Sequence, residues 1–233
     1  MNKNDKSNRE LNKSAAETLM QENSAIKDEK GQIPSDLEEQ NPFSEEMITC
    51  IYENGIIAPE EAREIIEAIR IETYPKGHHL IKQGELVQDC FSLITGCVRQ
   101  YQIIDGVDKT TAFYTDGQGI SSFTSASKKV ASSYSFECLE ESKLAMISIE
   151  KEQELYKKYP NFESLSRIGM ESQLGEYQDM MAKFITQKPE ERYLDLLENR
   201  PDLINRVPQY YLASYLGVSA ETLSRIRKRI FKK

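Results

Sequence analysis

Nowhere does the chain approach the run of roughly eighteen apolar residues that a membrane-spanning helix needs. Its opening stretch, MNKNDKSNRE, also lacks the apolar centre of a secretion signal. A helical membrane protein is thereby excluded, no membrane partner is expected, and the expected location is the cytoplasm. Cysteine is scarce: Cys50, Cys90, Cys97 and Cys138 are separated by 39, 6 and 40 residues, which fits neither a zinc or redox motif nor a disulfide framework. These thiols are expected to be buried and free, acting as small hydrophobes. No nucleophile elbow, phosphate-binding loop or metal-binding His/Glu spacing occurs. Neither an enzyme nor a bound metal or cofactor is therefore expected. The two histidines, His78 and His79, are adjacent and read as a solvated pair in a turn. Residues 1–42 contain no aromatic side chain and offer little apolar surface against the entropy of ordering. They read as a disordered arm.

What is present is unevenly charged. The net charge is −8, yet residues 188–233 hold ten lysines and arginines against six acids, leaving twenty against thirty-two in residues 1–187. A basic end on an acidic chain points towards nucleic acid. SEEMITCIYENG and APEEAREIIEAI carry apolar residues at helical spacing, the second with acids in its first turn. Between Ile71 and Ile149 the pattern changes to short apolar or alternating runs punctuated by Gly77, Gly84, Gly96, Gly106, Gly117 and Gly119. That pattern predicts an antiparallel β-roll or barrel.

Beyond Glu150 the chain reads as helical. After Pro160 comes a long helix in which Met170, Leu174, Tyr177, Met181 and Phe184 recur at spacings of 4, 3, 4 and 3, a heptad seam. Such a seam packs either on the chain's own β-domain or against a second copy, and the second is expected, giving a homodimer. PEERYLDLLENR forms another helix. QYYLASYLGVSAETLSRIRK, residues 209–228, then reads as two helices joined at Gly217, which can take a positive φ. Leu212, Leu216, Val218, Leu223 and Ile226 supply the apolar faces, Ala213 allows a close crossing, and Ser219 caps the second helix. Glu221, Ser224, Arg225 and Lys228 are left outward, suited to base edges in a major groove. Trailing basic residues, among them Arg229, suit phosphates. A mere surface ion pair between Glu221 and Arg225 is the plainer alternative.

Together these features give an α+β chain with four parts: an arm (1–42), a β-roll with flanking helices (43–160), a dimerisation helix (161–187) and a helix-turn-helix domain (188–233). The β-roll, long helix and terminal LGVSAETLSRIRK resemble the Crp/Fnr family of bacterial transcription regulators over about residues 45–233. The resemblance implies a roll of the cyclic-nucleotide-binding, cupin-like kind and a homodimer formed along the long helix. It also implies that E-x-x-S-R, here Glu221, Ser224 and Arg225, reads an inverted repeat of TTGA-like half-sites in double-stranded DNA, with Ser219, Thr222, Lys228 and Arg229 alongside. RNA polymerase is a further implied partner. Members that bind cyclic AMP carry Gly-Glu followed by Arg-Ser/Thr. Here GQGISSFTSASKKVASSYSFE has Ser121 and Ser122 near the first position and Ser132 and Ser133 near the second.

With the glutamate and guanidinium missing, cyclic-AMP dependence is not expected, and Lys128 or Lys129 would offer only point charges. No cysteine cluster is present for an iron–sulfur centre. Haem binding at His78 and His79 and a thiol switch at Cys90, Cys97 or Cys138 have no supporting motif. The alternative function is a small-ligand or nucleotide sensor that signals to protein partners.

Overall fold

The computed structural model describes Ile57 and residues 59–230. The arm, the segment SEEMITCIYENG, Cys50, Lys232 and Lys233 lie outside these residues. The described residues divide into two compact units, one drawn from those up to 69 and from 151–167, the other from 70–150 and from 168 onwards.

The first unit contains helix α1 (Pro59–Ala68). It buries Ala62, Ile65 and Ile66, the face that the sequence pattern predicted. Most of α3 (Ile149–Lys158) belongs here too, with Leu155 buried. The carboxylate of Glu64 accepts from Lys158 Nζ and from Tyr159 Oη. These two donors hold the Glu64 carboxyl below its usual pKa range.

The second unit is the β-roll with the helices that follow it. Its eight strands are β1 (Arg70–Tyr74), β2 (His79–Ile81), β3 (Asp89–Thr95), β4 (Val98–Ile104), β5 (Val107–Tyr114), β6 (Gly119–Ile120), β7 (Ser135–Cys138) and β8 (Ser142–Ser148). They form two antiparallel four-stranded sheets, ordered β1-β8-β3-β6 and β2-β7-β4-β5. Alternating residues of both sheets, including Phe91, Leu93, Val98, Ala112, Phe136, Leu144 and Met146, meet in one core. Each fully buried apolar side chain of this kind contributes roughly 1.5–3 kcal/mol. Gly96, at φ 126°, makes the β3–β4 turn.

A short helix α2 (Phe123–Lys128) interrupts the roll, and α4 (Pro160–Thr186) leaves it. Then come α5 (Pro189–Asn199), α6 (Pro201–Arg206), α7 (Gln209–Tyr215) and α8 (Ala220–Ile230). Pro189 and Pro201 each stand in a first helical turn, where the missing N–H is no loss. The Glu191 carboxylate accepts from the Lys188 backbone N–H and closes the start of α5.

The outer face of the β5 sheet is not left to solvent. Cys97, Phe113 and Leu139 join Tyr193, Leu196, Leu203, Val207, Leu212, Ala213, Leu216, Leu223 and Ile226 in a second core, shared by the roll and helices α5–α8. The strand β5 is the edge of its sheet, and α7 covers it, with the Thr110 N–H donating to Ser214 Oγ at 2.9 Å. Arg206 of α6 donates to Glu140 Oε1 and to the Gly96 carbonyl, and Arg200 to Thr115 Oγ1.

Candidate nucleic-acid interface

The two terminal helices meet where the sequence places their joint. Gly217 has φ 71°, and the Val218 N–H donates to the Ala213 carbonyl at 2.9 Å, closing the first helix as the chain reverses. Ser219 then caps α8, its Oγ accepting from the Thr222 N–H at 3.1 Å. Leu223 and Ile226 are buried, and Ile230 is half-buried. This fixes which face of α8 looks outward. Ser219, Ala220, Glu221, Arg225, Lys228 and Arg229 are exposed, while Thr222 and Ser224 are half-buried at the margin of that face. Gln209, Ser224, Arg227 and Lys228 line a shallow hollow beside it.

Glu221 and Arg225 do not pair. Arg225 Nη2 donates instead to Thr222 Oγ1 at 3.2 Å, and Ser219 Oγ donates to the same oxygen at 3.0 Å. Arg229, placed with the phosphate-facing residues by sequence, forms an exposed ion pair with Glu190 of α5 at 3.0 Å. Binding a phosphate there would mean exchanging one anion for another.

The long helix has no buried residue along its 27 positions. Met170, Leu174, Met181 and Phe184 of the seam are between 47% and 58% exposed, so within one chain the β-domain does not cover them. Tyr177 differs: it is half-buried, and its hydroxyl lies 2.7 Å from that of Tyr114, which in turn donates to Gln100 Oε1. Phe184 lies beneath the Arg192 guanidinium, 4.4 Å from its ring centroid.

At the position where cyclic-AMP-binding relatives carry glutamate and arginine, serines bond to one another. Ser122 and Ser132 are 5% and 2% exposed, and the Ser132 Oγ donates towards Ser122 Oγ at 3.0 Å. Ser132 Oγ also accepts from the Tyr134 N–H, while Ser125, likewise buried, donates to the Val130 carbonyl. Ser121 is half-buried and Ser133 exposed. Lys128 and Lys129 point into solvent, so neither stands in for the guanidinium. The buried serine hydroxyls are thus engaged with one another and with backbone groups, the Tyr134 carbonyl lying 2.8 Å from Ser132 Oγ.

Of the two histidines, His78 is exposed beside the turn as expected from sequence, whereas His79 is half-buried in β2. His78 stacks on Tyr74 with centroids 4.4 Å apart, and His79 Nε2 lies 2.9 Å from the Tyr101 hydroxyl. Tyr101 of β4, distant in sequence, is the partner that a local reading of His79 could not show. Among the described residues no three His, Cys, Asp or Glu side chains group so as to hold a metal ion. Cys97 and Cys138 are buried, and Cys90 is half-buried. Val98 pairs with Cys138 across β4 and β7, so Cys97 and Cys138 fall on opposite faces of the sheet, one in each core. Burial pushes the Cys97 thiol up to about 12 and raises that of Cys138, leaving both as protonated core groups.

One charged residue in this region went unnoticed in the sequence. Arg99 of β4 is 2% exposed. Its Nη1 donates to both Asp108 carboxylate oxygens at 2.7 and 2.9 Å and to Thr110 Oγ1 at 3.2 Å; its Nη2 donates to Glu137 Oε2 at 2.8 Å. The register of β4 and β5 shifts between Gln100 and Tyr101, skipping Thr111, and this bulge turns Thr110 towards Arg99. The guanidinium carbon also lies 4.0 Å from the Tyr101 ring centroid and 3.6 Å from that of Tyr211 on α7. A positive residue within the strand VRQYQII, one position after its first residue Val98, was the available signal.

Among the described residues no helix is long and apolar enough to cross a membrane. The family of cyclic nucleotide-binding domains matches residues 71–159. No curated protein matches the chain. Several solved structures share the fold. FixK2 from Bradyrhizobium japonicum is 18% identical with a TM-score of 0.60, covering 70% of this chain and 85% of its own. The c-di-GMP-responsive global regulator CLP from Xanthomonas campestris is 16% identical with a TM-score of 0.61, covering 75% and 92%. A CooA mutant from Carboxydothermus hydrogenoformans is 14% identical with a TM-score of 0.58, covering 72% and 79%. Residues 71–159 thus match the model of the cyclic nucleotide-binding domain family, and the antiparallel roll followed by helices is a fold shared with these solved structures.

Proposed function

We propose that the protein is a homodimeric, sequence-specific DNA-binding transcription regulator of the Crp/Fnr type. In this reading residues 188–233 form the DNA-binding domain, 161–187 the dimerisation helix and 43–160 the effector-like roll. The observation that carries it is α8, which buries Leu223 and Ile226 and holds Glu221, Arg225 and Lys228 in solvent. Arg pairs with guanine O6 and N7, and Glu accepts from cytosine N4. Lys228 supplies phosphate affinity that falls with salt. The uncovered apolar seam of α4 supports a second copy as its partner, and a two-fold dimer implies an inverted-repeat operator, here of TTGA-like half-sites. RNA polymerase is the further partner such a regulator meets, in the cytoplasm. The self-bonded serines support action without cyclic AMP. They also count against the nucleotide form of the rival reading, a small-ligand or nucleotide sensor that signals to protein partners.

Fluorescence anisotropy with duplexes varied one base pair at a time tests the reading face. Arg225→Ala should lose about 1–3 kcal/mol of discrimination at one base position. Lys228→Ala should weaken all duplexes alike and flatten the salt dependence. Unchanged base preference in Arg225→Ala would show the face to be misassigned.

A further inference from the structure

The contacts of Arg99 reach beyond the roll. Two carboxylates and a hydroxyl fix the plane of a guanidinium that is almost wholly removed from water. Of the two aromatic rings against it, Tyr101 belongs to the roll and Tyr211 to α7. The Thr110 N–H, beside the same cluster, is bonded to Ser214 one turn further along α7. Leu212 and Ala213 of α7 share a core with Leu223 and Ile226 of α8. Turning α7 on the sheet would strip Tyr211 from a buried cation and break the Ser214 bond together. The orientation of α8 against the roll is therefore held by a joint with fixed planes, which greasy contacts alone would not supply.

We propose that Arg99 and Tyr211 are positioning residues that fix the recognition helix on the roll and so set the half-site spacing the dimer accepts. The inference rests on the DNA-reading function proposed above. Two rigidly held recognition helices engage both half-sites only at one separation; loosely held ones tolerate several, because the second binding event is intramolecular and geometry governs its gain.

The test uses the full chain and inverted-repeat duplexes whose spacer is shortened or lengthened by one or two base pairs, with a single half-site duplex as reference. The variants are Tyr211→Leu and Arg99→Lys, each checked for folding by circular dichroism. The Tyr211 change keeps the proposal testable if Arg99→Lys does not fold. Wild type should lose about 100-fold in affinity when the spacer changes by two base pairs. Tyr211→Leu should lose less than about tenfold across the same series, with single half-site affinity unaltered. A folded Tyr211→Leu protein that keeps the wild-type spacing profile overturns the proposal while leaving DNA reading intact. Wild type showing no preference for any inverted repeat overturns the reading beneath it, and the proposal with it.

Discussion

Gly217 and Gly96 sit where a side chain would meet protein at once. A Cβ on Gly217 would come 3.1 Å from the Phe184 ring, and at φ 71° it would be strained as well. Gly217→Ala should cost about 1–2 kcal/mol, read as a fall of roughly 2–4 °C per kcal/mol in melting temperature. Gly96→Ala should cost more, since its Cβ would lie 2.4 Å from Ser142 Oγ and 2.7 Å from the Ser142 Cα. Cys97 gives a second test at this scale. Burial pushes its folded thiol up to about 12, against roughly 8.5 when unfolded. Its contribution to stability is thus complete below the unfolded value and lost as the pH rises towards 12. In the native protein near pH 8, Ellman's reagent should leave Cys97 and Cys138 unmodified, whereas in denaturant both should react.

Individual residues were also where sequence reading fell shortest. The cap at Ser219 and the turn at Gly217 were legible because their partners lie within a few positions. Arg99 was not, because Glu137 and Tyr211 reach it only after the strands have paired and the helices have docked. The bond between Ser122 and Ser132 was half-legible: the serines in place of the arginine that the resemblance implies could be seen, but not that they pair.

At the scale of elements, periodicity is decisive. Apolar residues repeating at heptad spacing gave the long helix, and glycines between short alternating runs gave the strands; α4 and the eight strands follow both patterns. What periodicity left open was whether the α4 seam packs on its own chain, and the exposure of Leu174 and Met181 at 58% each answers for a single chain. If a second copy covers that seam, Leu174→Glu or Met181→Glu would bury a lone carboxylate in it. Association should then weaken by about 3–5 kcal/mol. Sedimentation velocity should show wild type as a dimer and either variant as a monomer; a variant that still sediments as the wild type would place the dimer interface elsewhere.

In the molecule as a whole, the notable feature is that the terminal helices build their core jointly with the outer face of the roll. Cys97, Phe113 and Leu139 of the roll pack with Tyr193, Leu203 and Leu216 of the helices in one cluster. Sequence pattern could find both parts yet had no means to join them, since such a contact leaves no local periodicity. Phe113→Ala should cost about 3–5 kcal/mol, and hydrogen exchange should report faster opening of α7 and α8 as well as of β5. Loss confined to β5 would mean that the two parts unfold independently.

All of this would serve a regulator only if the outward face of α8 discriminates among DNA sequences. Incubating the purified protein with a pool of random duplexes and sequencing what it retains examines that point most directly. Enrichment of an inverted repeat with half-sites about one helical turn apart is the expected result; a retained pool indistinguishable from the input would contradict the account.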